Sequence, residues 1–391
     1  MAASRTISLA LAAAVSLCAG TFTSLHSFNG GDGANPYSAL AQGADGNFYG
    51  ATEHGGAQGL GTVFRIAPDG TFTSLYSFCS LANCADGSFP TSTLTRTPNG
   101  DFYGTTALGG FSNGGTFFRI TPAGALTTLH KFCSQPNCSD GVSPYSSVVL
   151  VDGDFYGTTL QGGATGSGTI YRMTPSGTLT TLYSFCTQGN CLDGAVPSSA
   201  LVHAAGGAFF GATSAGGANG RGTIFKLTPA GALTTLHNFC ADSTCPDGND
   251  PQGALIQAAS GDLYGTTVFG GASGHGTVFK ITPGGNFTTL YSFCSQDGCP
   301  DGVFPSAALL QAPDGSFYGT TAGSQSLGPI YGTAFSITAA GSLTTLHSFD
   351  GLDGQAPDAA LVPGPGGNLY GTTSIGGENS QGTIFRLLMP N

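Results

Sequence analysis

The 391-residue sequence contains 65 glycines and 21 prolines, only 8% of its residues are charged, and glutamate occurs only twice. This composition favours many short strands joined by tight turns over helices. The net charge of −11, with the ten lysines and arginines scattered along the chain, argues against a nucleic-acid partner because a phosphate backbone would be repelled.

The chain begins with features of an export signal. A basic start, MAASR, is followed by a mostly apolar run over residues 6–17 and by Cys18-Ala19-Gly20. We predict a signal peptide over residues 1–20 that is cleaved near Gly20, and therefore a secreted protein, extracellular or periplasmic. The apolar run is too short to span a bilayer, so no membrane span is expected. Leu17 directly precedes Cys18, where a lipoprotein signal requires a small residue, so we do not expect lipidation.

From residue 21 onwards one pattern recurs: L-T-T-L-Y-S-F, D-G-x-x-P, L, F-Y-G-T-T, G-G, G-T-x-F-R, P-x-G. Self-similarity at a fixed period of this size is typical of propellers and other repeat folds. Residues 21–391 are therefore predicted to be one domain without a linker. The copies start at Thr21, Thr71, Ala125, Thr178, Ala232, Asn286 and Ser342.

Each copy is predicted to hold four strands, which in the second copy cover residues 71–78, 92–96, 101–106 and 115–121. Pro98-Asn99-Gly100 and Pro122-Ala123-Gly124 mark turns between them. Four strands in a unit of about 50 residues predict a blade, so the fold class is an all-β, seven-bladed β-propeller.

The innermost strands of a propeller crowd around its axis, and the sequence places small residues where they would converge. Large apolar residues follow, at Leu40 and Phe48 in the first copy, where blades should face each other. The last copy lacks an outermost strand, which residues 21–28 can supply. We therefore expect the N-terminal strand to complete the last blade and close the ring. The small pairs are Ser38 and Ala39, Ser92 and Thr93, Ser146 and Ser147, Ser199 and Ala200, Gly253 and Ala254, Ala307 and Ala308, Ala359 and Ala360.

The motifs F-Y-G-T-T, G-T-V-F-R-I and L-Y-S-F, repeated this often, resemble the GloVer-type tandem repeat of bacterial secreted proteins, a choice-of-anchor repeat family. The resemblance covers residues 21–391 and implies an exported, β-propeller-like repeat protein with no established activity. Varied C-terminal anchors belong to that pattern. No apolar tail follows here, so we expect release rather than attachment.

Ten of the eleven cysteines form C-x4-C pairs in the five middle copies, together with a four-residue insertion that the first and last copies lack. Joint gain of both cysteines and the insertion predicts five local disulfides. With no nearby histidine the pairs do not suit a zinc site, and we predict neither a metal nor a cofactor. The predicted pairs are Cys79 and Cys84, Cys133 and Cys138, Cys186 and Cys191, Cys240 and Cys245, Cys294 and Cys299.

Other repeated polar residues have a structural and a functional interpretation. The seven Asp-Gly pairs favour turns over calcium sites. The cations after G-T-x-F should pair within their own blade rather than form an anion-binding ring, and the histidines of the outermost strands should be structural. One G-x-S-x-G match, around Ser112, lies between strands, whereas a nucleophile elbow needs a strand-to-helix turn. The repeated cations are Arg65, Arg119, Arg172, Lys226, Lys280 and Arg386, and the histidines are His26, His130, His237 and His347.

Because repeated positions maintain blades, a ligand site is expected where copies differ, on the face that carries the D-G-x-x-P and G-G loops. Aromatic, amide and carboxylate groups suit an unknown extracellular carbohydrate or protein ligand. We predict a monomeric binding scaffold; the alternatives are an extracellular hydrolase or lyase with a site at the axis, and a surface-layer protein. The candidates are Asn35, Tyr37, Phe89, Tyr145, Asn249, Asp250, Gln252, Phe304, Gln355 and Asp358, with Glu53, His54, Arg221, Phe269 and His275 in surrounding loops.

Overall fold

The computed structural model describes residues 21–389, so the predicted signal peptide lies outside the described residues. Seven four-stranded antiparallel sheets form the blades of a ring, as predicted. Blade 1 contains β2 (Ala41–Gln42), β3 (Phe48–Thr52), β4 (Thr62–Ile66) and β5 (Phe72–Ser77). Blade 2 contains β6 (Thr95–Arg96), β7 (Phe102–Thr106), β8 (Thr116–Ile120) and β9 (Leu126–Lys131). Blade 3 contains β10 (Val149–Val151), β11 (Asp154–Thr159), β12 (Thr169–Met173) and β13 (Leu179–Ser184).

The remaining blades repeat this order. Blade 4 contains β14 (Val202–His203), β15 (Phe209–Thr213), β16 (Thr223–Leu227) and β17 (Leu233–Asn238). Blade 5 contains β18 (Ile256–Gln257), β19 (Leu263–Thr267), β20 (Thr277–Ile281) and β21 (Phe287–Ser292). Blade 6 contains β22 (Leu310–Gln311), β23 (Phe317–Thr321), β24 (Thr333–Ile337) and β25 (Leu343–Ser348). Blade 7 contains β26 (Val362–Pro363), β27 (Leu369–Thr373), β28 (Thr383–Leu388) and β1 (Thr21–Ser27).

Among residues 21–389, helical structure is limited to single 3-10 turns. In the part of the chain that the structure describes, no helix is long and apolar enough to cross a membrane. The 3-10 turns are Ala82–Cys84, Phe111–Asn113, Pro136–Cys138, Gly189–Cys191 and Pro365–Gly367.

The N-terminal strand closes the ring. β1 pairs antiparallel with β28, with Thr21 opposite Leu388 and Ser27 opposite Thr383. Blade 7 is therefore assembled from both ends of the described chain, as predicted, and β28 is left without an open edge.

The innermost strands are shorter than predicted. In the second copy β6 covers only Thr95–Arg96, whereas the prediction began at Ser92. Ser92 Oγ accepts a hydrogen bond from Thr105 N (2.9 Å) and donates to Thr105 O (3.3 Å), so this side chain replaces the backbone ladder where the strands converge. Ser38 and Ser199 do the same with the strand beside them.

The apolar core lies between blades. One cluster packs Tyr49 and Phe78 of blade 1 against Leu94, Phe102 and Phe118 of blade 2. Each of the seven clusters likewise combines residues of two neighbouring blades. Full burial of one such side chain contributes about 2 kcal/mol. The predicted positions of the large apolar residues are therefore confirmed.

The repeated motifs interlock within each blade. A Cβ on Gly104 of F-Y-G-T-T would lie 2.8 Å from the Phe118 ring of G-T-x-F, so glycine is required there. The last threonine of the first motif, Thr106, shares a hydrogen bond of 2.8 Å with Thr116 of the second. Equivalent Thr–Thr pairs occur in all seven blades, which explains both motifs by structure alone.

The loops that enter the innermost strands are closed by local bonds. All five predicted disulfides are present. Within the same loop, buried Asp86 accepts hydrogen bonds from Tyr76 Oη (2.8 Å), Ser80 N (2.9 Å) and Leu81 N (3.2 Å). The loops of the first and last copies have no disulfide, and there Asn29 Oδ1 and Asp350 Oδ1 accept hydrogen bonds from the loop backbone.

Candidate ligand-binding site at the propeller axis

The D-G-x-x-P loop directs the residue after its proline towards the axis, and the residue before the proline sets the course of the backbone. The residue before the proline has a positive φ in every copy, which is unfavourable for residues other than glycine and most of all for a β-branched one such as Val196 (φ 56°). The other six are Asn35, Phe89, Ser143, Asp250, Phe304 and Ala356.

Two backbone hydrogen bonds hold this left-handed residue. Val196 N donates to Ser167 O of blade 3 (3.0 Å), and Val196 O accepts from Ser214 N of blade 4 (3.0 Å). The proline packs on the preceding blade as well: a Cβ on Gly115 of blade 2 would lie 2.7 Å from Cδ of Pro144. The loop is thus clamped between two blades, and the residue after the proline is held at the axis.

Seven residues, one from each copy and each directly after the repeated proline, line a cavity of 250 Å³ at the axis. We call them the axial ring. An adjoining cavity of 150 Å³ is lined by the same seven residues and by the small residues that the sequence predicted, such as Ala39, Ala254 and Ala360. The axial ring consists of Tyr37, Thr91, Tyr145, Ser198, Gln252, Ser306 and Asp358.

Asp358 carries the acidic group of the ring. Its carboxylate accepts hydrogen bonds from Ser306 Oγ (3.3 Å) and Ser374 Oγ (2.8 Å). Burial outweighs these hydroxyl donors and raises the pKa of Asp358 to about 6. Among residues 21–389, Asp358 forms no ion pair with a lysine, arginine or histidine.

The two ring tyrosines lie in the same electrostatic environment. Burial, together with the negative charges of Asp358 and Glu53, raises the pKa of Tyr37. Burial and the same carboxylates raise the pKa of Tyr145 to about 12, although 38% of that residue remains exposed. Both phenols are therefore neutral hydrogen-bonding groups at physiological pH. Glu53 is itself partly buried, which raises its pKa, and it lies 3.5 Å from His54.

Four of the ten candidates predicted near the innermost strands line the cavity: Tyr37, Tyr145, Gln252 and Asp358. The other six lie in the loops around it. Asn35, Phe89, Asp250 and Phe304 occupy the left-handed position, and Asp250 accepts a hydrogen bond from Gln252 Nε2 (3.0 Å). Asn249 and Gln355 pair through their backbones with Phe269 and Ile375 of the G-G loops.

Sequence reasoning missed three members of the ring, Thr91, Ser198 and Ser306. The signal was present, because the position after the repeated proline holds five residue types in seven copies. Small hydroxyl residues looked like part of the small-residue segment that follows. Ser198 Oγ is buried and has no hydrogen-bond partner among the described residues.

The predicted loop residues form aromatic contacts around the cavity entrance. His54 packs against Phe89, with ring centroids 5.0 Å apart, and both Phe269 and His275 pack against Phe304. Phe269 is 41% exposed. The bridge between Ala34 and His54 places the D-G-x-x-P loop beside the G-G loop, as the sequence predicted. Arg221 is exposed on a G-G loop.

Most of the repeated polar residues have partners within their own units, but only three of the six repeated cations form ion pairs among residues 21–389. His237 and Asp247 lie 2.8 Å apart, and the equivalent tyrosine or histidine and aspartate pairs of the other six copies lie 2.7–3.4 Å apart. Arg172 pairs with Asp154 at 2.9 Å, and similar own-blade pairs are made by Arg119 and Lys280. Ser112 lies in a 3-10 turn between β7 and β8. In residues 21–389 no cluster of three or more His, Cys, Asp or Glu residues suits a metal ion.

A larger hollow of 370 Å³ lies on the outside of blade 2. It is lined mainly by four consecutive residues of the outermost strand β9, together with Ser134 and Phe111, which is 57% exposed. One strand of one blade forms most of this hollow, whereas the axial cavity receives a residue from every copy. We therefore regard the axial cavity as the better candidate site.

Solved structures share the fold at low sequence identity. The extracellular domain assigned to a hybrid two-component system of B. thetaiotaomicron aligns with a TM-score of 0.59 and 11% identity, over 95% of this chain and 40% of that one. An α-L-arabinanase of Penicillium chrysogenum, solved with arabinobiose, aligns with a TM-score of 0.50 and 10% identity, over 94% of this chain and 98% of that one. Identities this low show the fold alone.

No curated protein matches the sequence significantly. The sequence pattern of the Gloeobacter/Verrucomicrobia repeat matches residues 12–137, 133–301 and 204–391, which together cover nearly the whole chain. The predicted resemblance is thereby confirmed, and the chain belongs to the Gloeobacter/Verrucomicrobia repeat family.

Proposed function

We propose that this protein is a secreted binding protein that holds one sugar-sized group of a carbohydrate ligand in the axial cavity. One observation carries the proposal: all seven copies direct the residue after the repeated proline into one cavity, and this position varies although the motifs around it serve the blades. A symmetric fold thus presents an asymmetric, chemically mixed pocket.

The lining suits a polyol. Tyr37 and Tyr145 offer apolar ring faces, while hydroxyl, amide and carboxylate groups provide donors and acceptors. The cavity of 250 Å³ is smaller than the roughly 300–1,000 Å³ of pockets for drug-sized ligands, so it suits a single sugar unit. Exposed aromatic surface at Phe269 can support the next units of a longer chain.

Secretion is supported by independent features. Five local disulfides fit an oxidising compartment. The predicted signal peptide over residues 1–20 and a structural neighbour that is an extracellular domain agree with export. An extracellular carbohydrate is accessible to a protein in that location.

Binding can be tested by screening glycans and peptides and then measuring affinity by calorimetry. The variant Tyr37→Ala/Tyr145→Ala/Gln252→Ala should weaken binding of a glycan hit at least about tenfold, or about 1.4 kcal/mol, at unchanged melting temperature. Phe111→Ala/Lys131→Ala, in the hollow outside blade 2, is the matched control and should leave the affinity unchanged. The reverse pattern would move the site to blade 2, and hits confined to peptides would contradict a carbohydrate ligand.

A second candidate function, hydrolysis at the axis, is favoured by one observation. Burial raises the pKa of Asp358 to about 6, so a fraction of this carboxyl is protonated near neutral pH, and burial also raises the pKa of Glu53, whose charge acts on the same two tyrosines. Release of reducing ends from an oligosaccharide that binds, lost in both Asp358→Asn and Glu53→Gln, would support an enzyme. Stable oligosaccharides during prolonged incubation would support binding alone.

A further inference from the structure

We infer that the axial cavity selects a sugar that carries a free, protonated amine, with the ammonium group placed against the Asp358 carboxylate between Tyr37 and Tyr145. This inference rests on the proposed function and names the ligand class of the same site. It goes beyond general carbohydrate binding because a neutral sugar needs no charged partner.

Within residues 21–389 Asp358 lies against hydroxyl groups and no cation, as its two hydrogen bonds from Ser306 and Ser374 show. A carboxylate removed from water without a cationic partner is unfavourable. A cation delivered by the ligand would relieve this cost, whereas a hydroxyl would add only another neutral donor.

The walls of the axial cavity also favour a cation. Tyrosine faces attract a cation through their ring quadrupoles, and Tyr37 and Tyr145 both line the cavity with Asp358. Glu53 adds a further negative charge that acts on both tyrosines. None of the seven ring members is basic, so an ammonium group would meet no repulsion from the lining.

Binding of an amine against Asp358 should depend on pH. The groups that face Asp358 are the hydroxyls of Ser306 and Ser374 and the two tyrosines, with Glu53, paired to His54, close to the tyrosines. Burial raises the pKa of Asp358 to about 6, so the carboxylate is charged at pH 7.5 and largely neutral at pH 5. An amino sugar is protonated at pH 5, so weaker binding there would report on the protein.

The experiment compares three short oligosaccharides of equal length by calorimetry: β-1,4-linked glucosamine, its N-acetylated form, and the glucose analogue. The glucosamine oligomer should bind at least about tenfold more tightly than the other two at pH 6.5, and this preference should shrink severalfold at pH 5. Asp358→Asn should remove both the preference and its pH dependence. Asp314→Asn, in a turn between β22 and β23, removes the same charge away from the cavity and should change neither.

The outcomes separate this inference from the proposed function. Equal affinity for all three oligomers, still lost with the tyrosine variant, would overturn the amine preference and leave carbohydrate binding intact. Failure of every oligosaccharide to bind would overturn both. Binding of lysine-rich peptides but no glucosamine oligomer, again dependent on Asp358, would overturn the amino sugar as the source of the amine. Preserved melting temperature of Asp358→Asn shows that the variant is folded.

Discussion

The blade motifs and the axial ring are built by opposite rules. Every blade contains the same Thr–Thr hydrogen bond, 2.8–2.9 Å long, between the positions of F-Y-G-T-T and G-T-x-F. In the axial ring Thr91 donates to Tyr145 O, Gln252 to Asp250, and Asp358 accepts from Ser306 and Ser374. Repetition therefore maintains the scaffold, and differences between copies give a symmetric ring one specific site.

This comparison leads to the expectation that changes in the blades alter stability, whereas changes in the axial ring alter binding. Variants of the blades should leave the cavity chemistry unchanged as long as the protein folds.

The largest effect is expected from opening the ring. A chain that begins at Phe28 lacks β1 and exposes the edge of β28. Unpaired backbone groups and lost inter-blade packing should cause aggregation or lower the melting temperature by on the order of 10 °C or more. Calorimetry and size-exclusion chromatography measure both effects.

Two control chains sharpen this test. A chain that begins at Thr21 keeps β1 and should melt like the parent. Because Thr21 lies opposite Leu388, residues 21–27 can also be moved behind Leu388 through an Asn-Gly turn, and this chain should recover the parental melting temperature. A stable, soluble monomer without β1 would contradict closure by the N-terminal strand.

An intermediate effect is expected at a repeated aspartate. Asp86→Ala leaves the donors of Tyr76, Ser80 and Leu81 without their acceptor and should cost about 3 kcal/mol of unfolding free energy in urea titrations. Asp314→Ala, in an exposed turn, should have a much smaller effect. Equal midpoints for Asp86→Ala and the parent would show that the carboxylate is dispensable.

The cost of Asp86→Ala should also depend on pH. Burial alone would raise the pKa of Asp86, but hydrogen bonds from Tyr76, Ser80 and Leu81 outweigh it and hold the pKa below its ordinary value. Because the pKa of Asp86 is lower in the folded state, its carboxylate stabilises the fold at pH values above the unfolded pKa of about 4. This stabilisation is lost as the pH falls below that value towards the folded-state pKa. The difference between parent and variant should therefore be constant from pH 5 to 7 and shrink below pH 4.

The smallest effect is expected at a left-handed residue. Val196→Asn replaces a β-branched residue by one that tolerates φ near +56°, and should raise the unfolding free energy by about 1 kcal/mol. Asn35 occupies the same position in the first copy, so Asn35→Val is the matched reverse change and should be destabilising. A lower urea midpoint for Val196→Asn would show that valine packing outweighs backbone strain at this loop.

Much of the scaffold followed from the sequence alone. The period of the repeat, the turns at Pro98-Asn99-Gly100 and Pro122-Ala123-Gly124, and the missing last strand predicted seven blades, their phase and the closure of the ring. The joint insertion of cysteines predicted the five disulfides. These features are local or repeated seven times, so each copy tests the same inference again.

Only the tertiary structure decided which variable residues meet. Asn35 and Tyr37 are two residues apart, yet the first holds the left-handed backbone position and only the second lines the cavity. Asp358 and Ser306 come from consecutive copies, 52 residues apart, and meet because neighbouring blades converge at the axis. The burial that raises the pKa of Asp358 to about 6 arises from groups that are distant in sequence, and no local pattern encodes that convergence.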